Sequence, residues 1–268
     1  LKRKFFATNF NITAISDEAY SEKITGWVMD CLIKLDTSEN SCFPSEPEPE
    51  PEPELLIING LKIWLKADYG VVYDEYNNVS EWHDASGNGY VFSQGNPDKQ
   101  PLYIPSIDSM NHKPAIKFDN STLTSNQQIT IKTFFILTNF DMTTFPDYCG
   151  LLTRINVIDT NSDWILVSWP NSTHFDYDQF SSNSLGLTLF VNNIQTYDFA
   201  PLKKPKIVYG YLHNPVIWYD IALGYDRSLG SRFWHGDIYE VIIYDRILNS
   251  IEIEQVKYYL KEKYAMDF

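Results

Sequence analysis

The chain of 268 residues has few basic side chains: 21 Lys and Arg stand against 35 Asp and Glu, for a net charge of −14. Proteins that bind nucleic acid cluster Lys and Arg against phosphates, so this balance argues against a nucleic-acid partner. Apolar runs near the ~20 residues of a membrane-spanning helix are also lacking. We therefore predict that the chain binds neither nucleic acid nor membrane.

Cysteine is scarce as well, with Cys31, Cys42 and Cys149 at unrelated spacings. Without a Cys-x-x-Cys pair, a zinc or redox site is not indicated. An odd number of cysteines favours free thiols in a reducing compartment over disulfide crosslinks. The basic start at residues 2–4 is not followed by a secretory apolar core, so we expect synthesis in the cytoplasm without an export signal.

Alternating Glu and Pro occupy residues 46–54, with five carboxylates in nine residues. Proline lacks an amide donor and fixes φ, and the like charges repel one another, so the run is predicted to be extended and solvated. At ~3.1 Å per residue it spans roughly 30 Å. We predict three parts: a docking segment (residues 1–45), a linker (46–54) and a folded domain (55–268).

The docking segment is predicted to be a small α/β leader, with a weak strand at residues 8–15 followed by an amphipathic helix. Its apolar positions recur at steps of three, four or one and line one helical face. A leader this short rarely forms its own core. We expect the stripe to dock on a partner or on copies of itself; the alternative is that it folds back within its own chain. The stripe consists of Tyr20, Ile24, Trp27, Val28, Cys31, Leu32 and Leu35.

Short β-prone runs separated by turn residues fill the folded domain, and no βαβ alternation is visible. Nine or ten strands without intervening helices predict a mainly β antiparallel sandwich or barrel. The run at residues 217–223 is among the predicted strands. One helix closes the chain, capped by Asn249 or Ser250 with Glu252 at capping-box distance. We expect it to pack on the sandwich rim.

Two blocks resemble a known family. The first is LKIWLKADYGVVYDEYNNVSEWHDASGNGYVFSQ at residues 61–94, and the second is ALGYDRSLGSRFWHGDIYEVIIYDRILNSIEIEQVKYYLKEKY at residues 222–264. Both are similar to concanavalin A-like, laminin G-like jelly-roll domains of bacterial and phage surface proteins. The resemblance covers residues 55–268 and implies two curved antiparallel sheets. It also implies binding far more often than catalysis.

Catalytic patterns are weak. Sandwich glycosidases place two carboxylates on one strand face, at even spacing. Glu240 lies three and five residues from Asp237 and Asp245, on the face expected to be opposite, so we interpret it as structural and assign no catalytic residue. The five His are scattered, and no Gly-x-Ser-x-Gly elbow is present. We therefore expect no enzymatic activity.

Residues 164–180 are the richest in aromatic and polar side chains together, which is the composition of a glycan-binding loop. Aromatic packing in the core is the alternative interpretation. The sequence predicts no cofactor. Calcium is the alternative, because loop carboxylates suit hard cations. Asp176 and Asp178 are the weak metal candidates. The predicted glycan site comprises Trp169, His174, Asp176, Tyr177 and Asp178.

The favoured hypothesis is a displayed, non-catalytic module of a bacteriophage virion, such as a head, collar or tail-fibre protein. Its N-terminal segment would attach to other virion proteins in an oligomeric assembly, and its lectin-like domain would bind a host-surface glycan. A bacterial cell-surface adhesin or carbohydrate-binding module is the first alternative. A sandwich-type glycoside hydrolase using Glu240 is the second.

Overall fold

A computed structural model describes residues 53–155, 164–176, 186–226 and 230–267. They belong to a compact unit of Pro53–Phe268. In chain order the strands are β1 (Leu61–Lys66), β2 (Val71–Tyr73), β3 (Val79–His83), β4 (Val91–Ser93), β5 (Leu102–Ile107), β6 (Lys113–Phe118), β7 (Leu123–Ser125), β8 (Ile129–Thr138), β9 (Gly150–Arg154), β10 (Trp164–Val167), β11 (Leu187–Val191), β12 (Ile194–Gln195), β13 (Lys206–Trp218), β14 (Ile221–Leu223) and β15 (Gly236–Tyr244).

The strands form two antiparallel sheets. The first has the order β12-β11-β13-β8-β15-β6-β5, with β1 also paired to β15, and the second has the order β10-β9-β14-β7-β4-β3-β2. Two single turns of 3₁₀ helix, Pro97–Lys99 and Asp108–Met110, flank β5. One α-helix, α1 (Ser250–Tyr264), ends the described chain. The predicted mainly β, two-sheet antiparallel fold with a C-terminal helix is confirmed.

The period-2 alternation of strand side chains divides the apolar residues of the first sheet between two layers. In β8, Phe134 and Ile136 pack into the core between the sheets. Phe135 and Leu137 point to the opposite face and pack in a second cluster with residues of α1. Both faces of the first sheet are therefore covered, which explains why β8 reads as an almost continuous apolar run.

The helix begins where the sequence predicted. The side chain of Asn249 accepts the N–H groups of Ile251 and Glu252, and Glu252 returns a bond to the N–H of Asn249. Apolar residues of α1, including Val256 and Leu260, lie against the outer face of the first sheet. The expected rim position is thus wrong, because the outer face of the first sheet carries apolar side chains, such as Phe135 and Leu137, that the helix covers.

The turn between β3 and β4 shows why its Trp-x-Asp-x-Ser-Gly-Asn pattern is structural. Asp84 is buried and accepts the N–H groups of Trp64 and Ser86. The amide of Asn88 donates to the carbonyls of Leu61 and Lys62. The pattern therefore fastens this hairpin to β1, and Asp84 is occupied by backbone donors.

Short strands account for most of the difference from the predicted pattern. The structure breaks the expected strand at residues 217–223 at Tyr219 and Asp220: β13 ends before them in the first sheet, and β14 begins after them in the second. Three-residue strands such as β2, β4 and β7 are too short for an alternation of apolar and polar residues to be recognised in the sequence. The predicted leader, its apolar stripe from Tyr20 to Leu35, and the linker before Pro53 lie outside the described residues.

Candidate functional site

Three neighbouring strands of the second sheet converge at one end. Strand β9 lies between β10 and β14 and is antiparallel to both, so the start of β9 meets the ends of the other two. Tyr148 lies just before β9, Trp169 just after β10, and Asp226 shortly after β14. Gly150 permits this approach, since a Cβ there would lie 2.5 Å from the backbone nitrogen of Asp226.

These residues form an aromatic and charged surface, here called the aromatic platform: Trp169, Tyr148 and Arg232. The indole of Trp169 is 45% exposed and meets the ring of Tyr148 edge-on, with ring centroids 5.5 Å apart. The guanidinium carbon of Arg232 lies 4.6 Å from the centre of the Tyr148 ring. An Arg232 nitrogen is also 3.0 Å from a carboxylate oxygen of Asp226, which is fully buried.

A cluster of buried aromatic rings packs near the platform. Phe145 and Phe175 lie with Trp234 in contacts of 5.8 to 6.1 Å between ring centroids. The indole N–H of Trp234 donates to the carbonyl of Asn139. Phe145 forms a backbone bridge with Ser172, and Phe175 forms one with Ser168. Both bridges hold the segment that carries Trp169. The turn that carries Trp169 is therefore attached to the rigid core.

The predicted glycan-site residues are only partly brought together. The N–H of Trp169 donates to the carbonyl of His174 at 2.8 Å, so their backbones are neighbours. The imidazole of His174 nevertheless lies 4.0 Å from Asp198, while Trp169 contacts Tyr148. Asp176 is buried beside the backbone of Val167. The other two predicted residues, Tyr177 and Asp178, lie outside the described residues.

Within residues 53–155, 164–176, 186–226 and 230–267, the structure shows no ligand set for the predicted metal site. No group of three or more His, Cys, Asp or Glu side chains in these ranges is placed to hold a metal ion. Separately, none of the helices in these ranges has the length and apolar character needed to cross a membrane.

Sequence reasoning missed Tyr148 and Arg232. They lie 21 residues before and 63 residues after Trp169, as the sequence numbering shows. Neither stands in a recognisable motif, and only the pairing of β9 with β10 and β14 brings them to the same place. The usable signal in the sequence was the prediction of strands in this region. Residues that border those predicted strands could have been named as candidates for the same site.

A cavity of about 660 Å³ lies beside the first sheet, between the β11–β12 hairpin, the segment before β13 and the residues after α1. Its apolar lining includes Met110, Ile194 and Met266, and its polar lining includes Asp198 and Lys206. Burial is the main influence opposing ionisation of Asp198, but the N–H of Ala200 and the hydroxyl of Thr173 hold its pKa below the ordinary value. The cavity and the His174 turn therefore share Asp198.

Glu240, the residue of the glycosidase hypothesis, is fully buried under α1. It accepts the indole N–H of Trp64 at 2.5 Å, and both the ammonium of Lys263 and the hydroxyl of Tyr264 at 3.0 Å. Lys263 also pairs with Asp68 at 3.0 Å. This network joins the helix to β1 and β15, which fits the structural interpretation of Glu240.

One expectation about the faces of β15 is wrong. A β-bulge between Ile238 and Glu240 places Tyr239 as an extra residue, so Tyr239 and Glu240 both face α1. Asp237 bonds to the Tyr239 side chain and therefore lies on that side too, rather than opposite Glu240. Burial, together with the carboxylate of Asp141, raises the pKa of Asp237. The even-spacing rule failed because a bulge adds one residue to the alternation.

The histidines are dispersed, as expected. His83 pairs with Glu81 at 2.7 Å, His235 with Asp119 at 2.8 Å, and His112 with the exposed Asp108 at 3.3 Å. His213 is exposed and lies beside Tyr211. No two of these pairs share a partner among the described residues.

No family model matches the chain, and no curated protein does. Solved structures of Trypanosoma rangeli sialidase do match. The complex with a difluorinated nononic acid aligns at 13% identity and TM-score 0.46, covering 90% of this chain and 39% of that one. The covalent difluorosialic acid intermediate aligns at 12% identity and TM-score 0.46, covering 91% and 39%. The sialic acid complex aligns at 13% identity and TM-score 0.41, with the same coverage.

The chain thus spans about 39% of the length of the sialidases it matches. The matched proteins are enzymes, and this finding contradicts our expectation that the chain has no enzymatic activity. We withdraw that expectation, and both binding and turnover belong in any assay of the protein.

Proposed function

We propose that the described domain is a carbohydrate-recognising β-sandwich and that the aromatic platform is its contact surface. A sugar ring presents C–H groups on one face and hydroxyl groups around its edge. An exposed aromatic face suits the C–H groups, and fixed polar donors suit the hydroxyls. Trp169 supplies the aromatic face and Arg232 supplies the polar donors, and both side chains contact the ring of Tyr148.

The exposure of Trp169 is the observation on which this proposal depends. Trp82, Trp218 and Trp234 are fully buried, whereas 45% of Trp169 remains in contact with solvent. Burying an aromatic side chain of this size is worth roughly 1.5–3 kcal/mol, so leaving the indole exposed forgoes part of that stabilisation. A ligand that covers the ring recovers it.

Arg232 is held in place before any ligand arrives. Its guanidinium lies on the Tyr148 ring and pairs with buried Asp226. Guanidinium carries five N–H donors in a planar fork, so one contact with Asp226 leaves donors that can serve hydroxyl oxygens. An arginine fixed in this way loses less side-chain entropy on binding than a free surface arginine would.

The test is a binding measurement with the 268-residue chain on a panel of immobilised neutral and acidic glycans, followed by titration of the best binder. We expect Trp169→Ala to weaken that binding by about tenfold or more, since stacking and its buried area are lost. Arg232→Lys keeps the charge but loses the planar fork, so we expect a smaller loss.

Tyr76→Ala is the matched control, because Tyr76 is 73% exposed and contributes an aromatic ring away from the platform. It should bind as the unsubstituted protein does. Equal affinity of the Trp169→Ala variant and the unsubstituted protein would refute the platform as the contact surface. The same panel should be scored for released sugar, which separates recognition alone from recognition with hydrolysis.

The finer hypothesis of a virion appendage stays a prediction from sequence patterns. Its support is the Glu-Pro linker at residues 46–54 and the family resemblance of residues 55–268. The sialidase matches give it no support. We propose a surface location, on a phage particle or alternatively on a bacterial cell, with the segment at residues 1–45 as the attachment to an oligomeric assembly. Detection of the chain in purified particles at a symmetry-determined stoichiometry is the measurement that tests it.

A further inference from the structure

The ammonium group of Lys206 is under-satisfied in a buried position. Lys206 is 3% exposed, and among the described residues its ammonium donates to one acceptor, the carbonyl oxygen of Pro201. A lysine ammonium has three N–H donors, and buried donors without acceptors cost free energy. The ring of Phe199, 4.9 Å away, stabilises the positive charge but does not replace an oxygen acceptor.

Lys206 and Pro201 both line the cavity of about 660 Å³. This volume lies within the range of small-molecule sites, which are mostly apolar with a few fixed polar groups. About half of the lining residues are apolar: Met110, Val191, Ile194, Ala200, Pro201, Pro205, Ala265 and Met266. The cavity therefore combines an apolar wall with one buried cation.

We propose that this cavity is a second binding site, distinct from the aromatic platform, for a small monocarboxylate with an apolar body. The carboxylate accepts the free N–H donors of Lys206, and the hydrocarbon part lies on Met110, Ile194 and Met266. Asp198, Asp267 and the exposed Lys204 also line the cavity, so its charged side chains balance. This balance suits a ligand with one negative charge better than one with two or more.

The charge state of Lys206 supports this assignment. Burial lowers its pKa to about 8, although Asp198 acts in the opposite direction and Lys204 adds to the lowering. The other charged residue of the cavity wall is Asp267, after α1. A bound carboxylate favours the ammonium form, so binding should raise the pKa of Lys206 and take up a proton near pH 8.

Octanoate is a suitable probe, titrated into the 268-residue chain by calorimetry at pH 7. We expect saturable binding, with acetate binding more weakly because it leaves the apolar wall uncovered. Octanol carries the same chain without the charge, and it should bind about tenfold more weakly or worse than octanoate. Absence of octanoate binding, or equal binding of octanol, would overturn the proposal.

Lys206→Met keeps the volume and removes the charge, and we expect about tenfold or greater loss of octanoate affinity. Lys203→Met is the matched control, since Lys203 is exposed in the same segment and does not line the cavity. Unchanged octanoate affinity of the Lys206→Met variant would also refute the site.

A measurement on the unsubstituted protein gives a second, independent test. Calorimetry of octanoate binding at pH 8 in buffers of different ionisation enthalpy reports proton uptake. We expect uptake of a fraction of a proton at pH 8 and none at pH 6, where Lys206 is already charged. Equal values at the two pH values would contradict the placement of the carboxylate on Lys206.

Discussion

Two lysines of this domain are equally buried but lie in different surroundings. Lys263 is 2% exposed, and its ammonium has three oxygen-bearing partners: Glu240, Asp68 and Tyr259. Lys206 is 3% exposed, and the contacts among the described residues give it one carbonyl acceptor and one aromatic ring. Burial alone therefore does not distinguish a structural charge from a binding charge; the number of acceptors does.

The difference has a structural origin. Lys263 lies on α1 opposite β15, so the packing of helix on sheet places its ammonium against Glu240. Lys206 is the first residue of β13, an interior strand, at the end where the segment before the strand and the residues after α1 leave a cavity. The interface between helix and sheet supplies acceptors for the buried ammonium of Lys263, whereas the cavity at this strand end leaves that of Lys206 available.

The largest expected effect is that of Lys263→Met. Removing the ammonium leaves the carboxylate of Glu240 buried without its cation, and breaking a buried pair in this way costs ~3–5 kcal/mol. Urea unfolding should show this loss as a lower midpoint. Adding Glu240→Gln should recover part of it, and a double variant no better than Lys263→Met would show that the pair is not coupled.

Lys206→Met should have the opposite sign. Replacing a buried, poorly satisfied ammonium by an apolar group of similar volume should stabilise the folded state by about 1 kcal/mol at pH 7. The same urea experiment measures it, with Lys203→Met as the near-neutral reference. A loss of stability similar to that of Lys263→Met would remove the distinction between the two lysines.

The pH dependence sharpens this second effect. The pKa of Lys206 is about 8 in the folded state and about 10.5 in the unfolded chain, so between these values the unfolded state binds more protons. The unfolding free energy of the unsubstituted protein should therefore rise with pH, relative to Lys206→Met, from about pH 8 to 10.5. Parallel curves for the two proteins over this window would contradict a lowered pKa.

The start of the helix gives an expected change in stability as small as that of Lys206→Met but of the opposite sign. Asn249→Ala removes the acceptor for the N–H groups of Ile251 and Glu252, which typically costs ~1 kcal/mol. Since α1 carries Lys263 but only its C-terminal flank touches the cavity, octanoate binding should be unchanged while stability falls. Asn249→Asp keeps an acceptor and is the control; a drop of equal size in that variant would argue against capping as the cause.

Sequence reasoning succeeded where the signal is local. The capping box at Asn249 depends on residues three positions apart, and it is found in the structure. It failed at the bulge of Tyr239, where one extra residue reverses the expected alternation. Of the three residues of the aromatic platform, it named Trp169 but neither Tyr148 nor Arg232, because these three meet only through strand pairing.

The amino-acid pattern alone thus determined a β-rich, acidic domain with alternating strands and a capped terminal helix, because propensity, alternation and capping act over short stretches of chain. Only the tertiary structure decided which sheet face α1 covers, which aromatic rings remain in solvent, and which buried lysine lacks acceptors. These depend on contacts between residues far apart in sequence, such as Lys263 with Asp68 and Tyr148 with Arg232. Such contacts follow from strand order and register, which no local pattern specifies.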